Sequence, residues 1–167
     1  MMAKKGFCVV LHDVRSAHNT GSIFRTADAA GASKIYCCGI TPTPLDRFGT
    51  VRADFAKVSL GAERSVEWEH CDDPARALDA LKKEGYAIFA VEQSKQSIPY
   101  FALPEKEMRG GRFCLVMGNE VKGVPPALLA LADRVLEIPM KGNKESLNVA
   151  VAFGVVAFGL SLPRGRM

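Results

Sequence analysis

Residues 138–160 read IPMKGNKESLNVAVAFGVVAFGL. The run leaves an apolar stretch at Ile138, breaks at Pro139 and turns through Gly142 and Asn143. It then sets Ser146 and Asn148 ahead of Val149 to Leu160, a helical segment with no charged side chain. A helix without a polar stripe is expected to be buried all round, with its polar mouth opening onto something specific. A hydroxyl and an amide at a helix amino end meet backbone N–H groups that attract anions. Ser146 and Asn148 therefore read either as caps or as binding groups.

The same order of strand, polar loop and helix recurs outward from this stretch. Residues 7–11, 34–38, 86–91, 113–117 and 134–138 are nearly uninterrupted apolar runs, the pattern of parallel strands covered on both faces. Helical patterns at 19–30, 73–84, 125–132 and 147–160 alternate with them, which predicts a parallel-sheet, three-layer α/β/α domain. The helix at 73–84 is clearly punctuated: Asp72 or Asp73 caps it, Pro74 opens its first turn, and Gly85 stops it. Residues 39–65, with Arg47, Arg52, Lys57 and Arg64, read as a long, basic, turn-rich loop. Neither a linker nor a repeat interrupts the chain, so residues 1–167 are expected to form a single domain.

An apolar fraction of 48% and a charged fraction of 24% belong to an ordinary globular protein. A net charge of +4 permits a polyanionic partner without requiring one. Cys8, Cys37, Cys38, Cys71 and Cys114 are odd in number and lack CxxC spacing. Reduced thiols, no zinc site and a cytoplasmic location are expected. The amino end lacks the apolar core of a secretory signal, and the longest apolar run is too short to span a membrane.

Two further constellations follow strands, where ligand sites of parallel sheets lie. In HDVRSAHNTGSIFRTADAAG (12–31), Asn19 reads as a helix cap or a functional amide, and Gly21 admits a close backbone neighbour. Ile23, Ala27 and Ala30 form an apolar stripe from which Arg25 projects away. In LVMGNEVKGVPPALLALAD (115–133), Gly118 is expected to expose bare backbone to a ligand, beside the polar groups of Asn119, Glu120 and Lys122. There is no strand followed by GxGxxG, no GxxxxGK[ST], no HExxH and no GxSxG. Dinucleotide, P-loop, metalloprotease and hydrolase chemistry are unsupported, and His12, His18 and His70 are too scattered to suggest a metal site.

Taken in order, NTGSIFRTADAAG, LVMGNEVKGVP and IPMKGNKESLNVAVAFGVV resemble motifs 1, 2 and 3 of the SpoU (TrmH) branch of the SPOUT superfamily, the S-adenosylmethionine-dependent RNA ribose 2′-O-methyltransferases. The resemblance covers residues 7–160. It implies a deep trefoil knot over roughly residues 86–160, an exception to the rule that chains do not thread loops. It also implies a homodimer with its active sites at the subunit interface and S-adenosylhomocysteine as the second product. Matched residue by residue, the catalytic group comprises Asn19, Arg25, Glu120, Ser146 and Asn148, with Pro139 in the third motif. Backbone around Val91, Gly118, Asn119, Ile138, Met140, Ser146 and Leu147 would hold the methyl donor. For Arg25 we expect a phosphate-binding and charge-stabilising role, because a guanidinium does not deprotonate to act as a base.

Many relatives carry an additional RNA-binding domain or basic extensions. This chain resembles the compact form, so RNA is expected to be gripped by Arg15, Arg47, Arg52, Lys141 and Lys144, together with the terminal Arg164 and Arg166. tRNA is favoured over rRNA as the substrate. Competing readings are base methylation by a related enzyme and a knotted RNA-binding protein without turnover. No metal and no membrane are implied.

Overall fold

The computed structural model describes residues 6–162. Seven parallel strands form one sheet in the order β3-β2-β1-β6-β4-β7-β5. They are β1 (Cys8–His12), β2 (Lys34–Cys38), β3 (Glu67–Cys71), β4 (Ala87–Val91), β5 (Ile98–Pro99), β6 (Phe113–Met117) and β7 (Arg134–Glu137). The three central strands β1, β6 and β4 carry the continuous apolar runs because both of their faces are covered.

On one face Val9, Leu11, Phe89 and Leu115 meet α1 (Ala17–Ala30), α2 (Ala53–Ser59) and α6 (Val149–Ser161). On the other, Cys8, Val10, Ile88 and Val116 meet Leu78 and Leu81 of α4 (Pro74–Lys83) and Leu128 of α5 (Pro126–Leu129). Asp73 caps α4, accepting from the N–H groups of Ala75 and Arg76. The late strands are inserted among earlier ones. β6 enters between β1 and β4, and β7 between β4 and β5.

Several expectations are corrected. The loop assigned to residues 39–65 contains two helices, α2 and the short α3 (Ala62–Ser65). α2 is held by one aromatic anchor, Phe55, whose ring meets Phe24 of α1 edge-on at 5.0 Å. Gly21 permits that packing, since a Cβ there would stand 3.0 Å from the Phe55 carbonyl oxygen. Two strands escape the apolar pattern. β3 is an edge strand with the mostly uncovered sequence EWEHC, and β5 is only two residues long.

The pattern at 125–132 shortens to the single turn of α5. Nor is α6 buried all round. Phe153, Val156, Ala157 and Leu160 enter the core, while Val151 (52% exposed) and Phe158 (37%) face outward. Among the described residues no helix is long and apolar enough to cross a membrane.

Candidate functional site

The carboxyl ends of β4, β6 and β7 open into a cleft of about 610 Å3, a volume suited to a drug-sized ligand. Val91, Gly118 and Asn119 line it from the ends of β4 and β6, and Ile138 and Met140 from the end of β7. Ser146, Leu147 and Asn148 close the side leading into α6. All seven expected donor-binding positions therefore share one cavity. Sequence reasoning missed Glu92 and Gln93, which line the same cleft directly after β4, where the carboxyl-end rule for parallel sheets already pointed.

Three segments distant in sequence are knitted together beside this cleft. The Glu120 carboxylate accepts from the backbone N–H of Arg15 at 2.9 and 3.2 Å, from that of Ser16 at 3.2 Å, and from the Asn19 side-chain amide at 3.0 Å. Asn19 in turn accepts, through Oδ1, from Nδ2 of Asn148 at 3.0 Å. The Asn148 Oδ1 accepts from the N–H of Ala150 and of Val151, capping α6. The direction of this relay is fixed: a carboxylate only accepts and a backbone N–H only donates, so each asparagine amide has a single consistent orientation.

Burial opposes ionisation of Glu120. The Arg15 N–H, the Asn19 amide and the Ser16 N–H outweigh it, holding the carboxyl below the ordinary glutamate range.

This geometry corrects the two expected caps and accounts for Gly118. Ser16, not Asn19, caps α1, accepting from the Asn19 N–H at 3.1 Å, which frees the Asn19 side chain for the relay. Asn148, not Ser146, caps α6, and the exposed Ser146 stays in the cleft lining. Gly118 lines the cleft as expected, and backbone of the following turn crowds the place of its missing side chain. A Cβ there would lie 2.3 Å from the Gly123 carbonyl carbon, so the glycine is required by the chain's own backbone. The Asn119 side chain is likewise committed, donating to the Asp13 carbonyl at 2.8 Å and accepting from the N–H of Val121 and of Lys122.

Arg25 is exposed on α1 and absent from the cleft lining. Arg15, Lys141 and Lys144 are exposed near the mouth. Arg47 and Arg52 stand apart, beside a second hollow, with Arg52 paired to Asp54 at 3.4 Å. Arg164 and Arg166 lie outside the described residues.

The cleft suits a cationic, partly apolar ligand. Its lining carries the carboxylates of Glu92, Glu120 and Glu137 against the one cation of Lys122, beside the apolar Val91, Leu129, Ile138 and Leu147. The backbones of Met140 and Leu147 make no hydrogen bond among the described residues, which leaves donors and acceptors for a ligand.

Comparison with known proteins agrees with this geometry. The model of the SpoU rRNA Methylase family matches residues 6–158. A tRNA (guanosine(18)-2′-O)-methyltransferase of Aquifex aeolicus is 31% identical over 93% of this chain and 68% of its own length. The 23S rRNA (guanosine-2′-O-)-methyltransferase RlmB of Escherichia coli K12 is 32% identical over 91% of this chain and 58% of its own. Among solved structures, an AdoMet-bound rRNA methyltransferase from Sinorhizobium meliloti superposes with a TM-score of 0.82 at 29% identity, over 94% of this chain and 56% of that one. This chain thus spans between about half and two thirds of the length of such relatives.

Proposed function

The chain belongs to the SpoU rRNA methylase family, and on that premise we propose that it transfers a methyl group from S-adenosylmethionine to the ribose 2′-hydroxyl of an RNA. The observation that carries the proposal is the Glu120–Asn19–Asn148 relay, which joins all three motifs at one edge of the cleft. When bound there, S-adenosylmethionine supplies a sulfonium methyl, an electrophile for the ribose oxygen, and leaves as S-adenosylhomocysteine.

The chain's own groups orient this exchange. Backbone around Val91, Ile138, Met140 and Leu147 would hold the donor, and the three carboxylates of the lining would favour its positive charge. Asn148 holds the start of α6 against α1, which keeps the loop bearing Ser146 and Leu147 in place. Glu120 is a poor proton acceptor, because its oxygens are already taken by three donor groups and its pKa is depressed. Its role is positional. Arg25 binds the phosphate beside the target ribose and stabilises charge developing on its oxygen, and the proton leaves to water or to phosphate. Holding donor and ribose in one fixed relation would supply most of the acceleration.

Arg25 stands outside its own chain's cleft, so the working site takes it from a second copy. The outward strip of α6, Val151 and Phe158, gives that copy an apolar surface to cover. In this reading the insertion of β6 and β7 between earlier strands belongs to a trefoil knot, and the described residues form one methyltransferase domain. tRNA is the substrate we favour, by analogy with the tRNA-modifying relative that the chain resembles over most of its length.

The test is nucleoside mass spectrometry on unmodified tRNA and, separately, rRNA after incubation with the protein and S-adenosylmethionine. A new 2′-O-methyl nucleoside in the tRNA pool is the expected result. A methylated base would overturn the ribose assignment, and a gain in rRNA alone would overturn the choice of substrate.

A further inference from the structure

The carboxyl edge of the sheet carries a second concavity, over β2 and β3. It encloses about 670 Å3 and is lined by Ile40, Leu45, Arg47, Phe48, Arg52 and His70 among others. Large apolar side chains gather here uncovered: Ile40 is 64% exposed, Phe48 76% and Val51 54%. Such a patch on a well-formed surface marks a binding site more often than chance exposure does.

The exposure of Phe48 is built in. Asp46 accepts from the N–H of Phe48 at 2.8 Å and of Thr50 at 2.9 Å, and its own N–H donates to the Thr50 carbonyl at 2.8 Å. Gly49, at a φ of 78°, completes the turn, and Leu45 bridges Val51 in antiparallel fashion beneath it. A closed turn therefore holds the ring outward, with the Arg47 guanidinium 4.7 Å from its centroid. The neighbouring acids are already committed, Asp46 to this turn and Asp54 to Arg52 and the Phe55 N–H. Arg47 has no carboxylate partner among the described residues.

The hollow is mechanically joined to the cleft. Asp13 accepts from the Ile40 N–H at 3.0 Å through its side chain and from the Asn119 amide at 2.8 Å through its carbonyl. Thr41 accepts from the Val14 N–H at 3.1 Å. Strands β2 and β6 flank β1, so the two sites start about 10 Å apart, two inter-strand spacings.

We propose that this hollow is a nucleotide subsite, in which an unpaired base of the substrate RNA stacks on Phe48 and its phosphate meets Arg47. A flat, exposed ring beside a free guanidinium matches a single-stranded nucleotide, whose base is not already stacked in a duplex. The inference rests on the methyltransferase reading, because that reading is what runs an RNA along this edge.

The test measures the affinity of the full chain for a short fluorescein-labelled single-stranded RNA. S-adenosylmethionine affinity by calorimetry, methyl transfer to tRNA and sedimentation of the protein are followed in parallel. Phe48→Ala should weaken RNA binding about 5- to 150-fold, the worth of one base-on-aromatic stack, while Phe48→Trp binds like the parent and both bind the methyl donor normally. Unchanged RNA affinity in Phe48→Ala, with the parent still methylating tRNA, overturns the subsite alone. If self-association falls in that same variant, the patch is a contact between copies. A parent chain that neither binds nor methylates RNA overturns the methyltransferase reading as well.

Discussion

The side-chain amide of Asn148 donates to the side-chain oxygen of Asn19 at 3.0 Å, across 129 positions of chain. Each asparagine is also bound to a fixed partner, Asn148 to the first N–H groups of α6 and Asn19 to the Glu120 carboxylate. The single bond therefore couples the amino ends of two helices to the turn after β6. Positional precision at the cleft follows from that coupling, since each group is oriented by the next.

Removing one link should separate its two roles. Asn148→Ala loses a helix cap worth roughly 1 kcal/mol as well as the bond to Asn19, whereas Asn148→Ser restores a cap but does not reach Asn19. We expect Asn148→Ala to lower the melting temperature and turnover together. Asn148→Ser should recover most of the melting temperature and little of the turnover. Thermal melting paired with single-turnover methylation checks both, and full turnover in Asn148→Ser would show that the inter-asparagine bond is dispensable.

The depressed pKa of Glu120 carries a sign. A carboxyl whose folded pKa lies below its ordinary value of 4.5 contributes stability that is fully present above that value. The contribution is lost as pH falls through the folded pKa. Glu120→Gln removes the titration, so its stability should fall less steeply than that of the parent as pH drops from about 5 to 3. Urea melts across that range measure the two slopes. Parallel slopes would mean that Glu120 titrates alike in the folded and unfolded chains.

How much of this could be read from the sequence depended on how each residue is held. The central strands announced themselves because burial on both faces demands unbroken apolar runs such as FCLVM, and all three motifs stand where parallel strands end. β3 was invisible because an edge strand can keep Glu67, Glu69 and His70 in its ladder. α2 was hidden among turn residues because Phe55 and the close approach at Gly21 hold it, and these are tertiary contacts. At the site, residue types were legible but their partners were not. Spacing made Asn19 and Ser146 look like caps, and only the fold shows Ser16 and Asn148 doing that work.

Gly118 offers a sharper structural test. Its Cα lies so close to the following turn that an added Cβ would fall 2.3 Å from the Gly123 carbonyl carbon and 2.5 Å from the Val124 nitrogen. These are backbone atoms, unable to rotate aside, so Gly118→Ala must shift the turn itself. Overpacking of this kind costs about 1–3 kcal/mol. The turn bears Asn119 and Glu120, so S-adenosylmethionine affinity should fall along with stability. Calorimetric titration and denaturant melts decide it; a variant with unchanged affinity would place the donor away from this wall.

The placement of Arg25 permits a test that no single variant can give. Arg25 is exposed on α1 outside the cleft of its own chain, while Asn148 stands in that cleft. If each working site combines Arg25 from one copy with Asn148 from the other, Arg25→Ala and Asn148→Ala proteins are each inactive for different reasons. Mixed and allowed to exchange subunits, they form pairs in which one site carries both intact residues and the other carries neither. Methylation should then reappear in the mixture and be absent from either variant alone. Adding Val151→Glu to both proteins puts a charge on the exposed strip of α6, which should block pairing in sedimentation and abolish the recovery. A mixture that stays inactive although its subunits exchange would mean that Arg25 serves the cleft of its own chain.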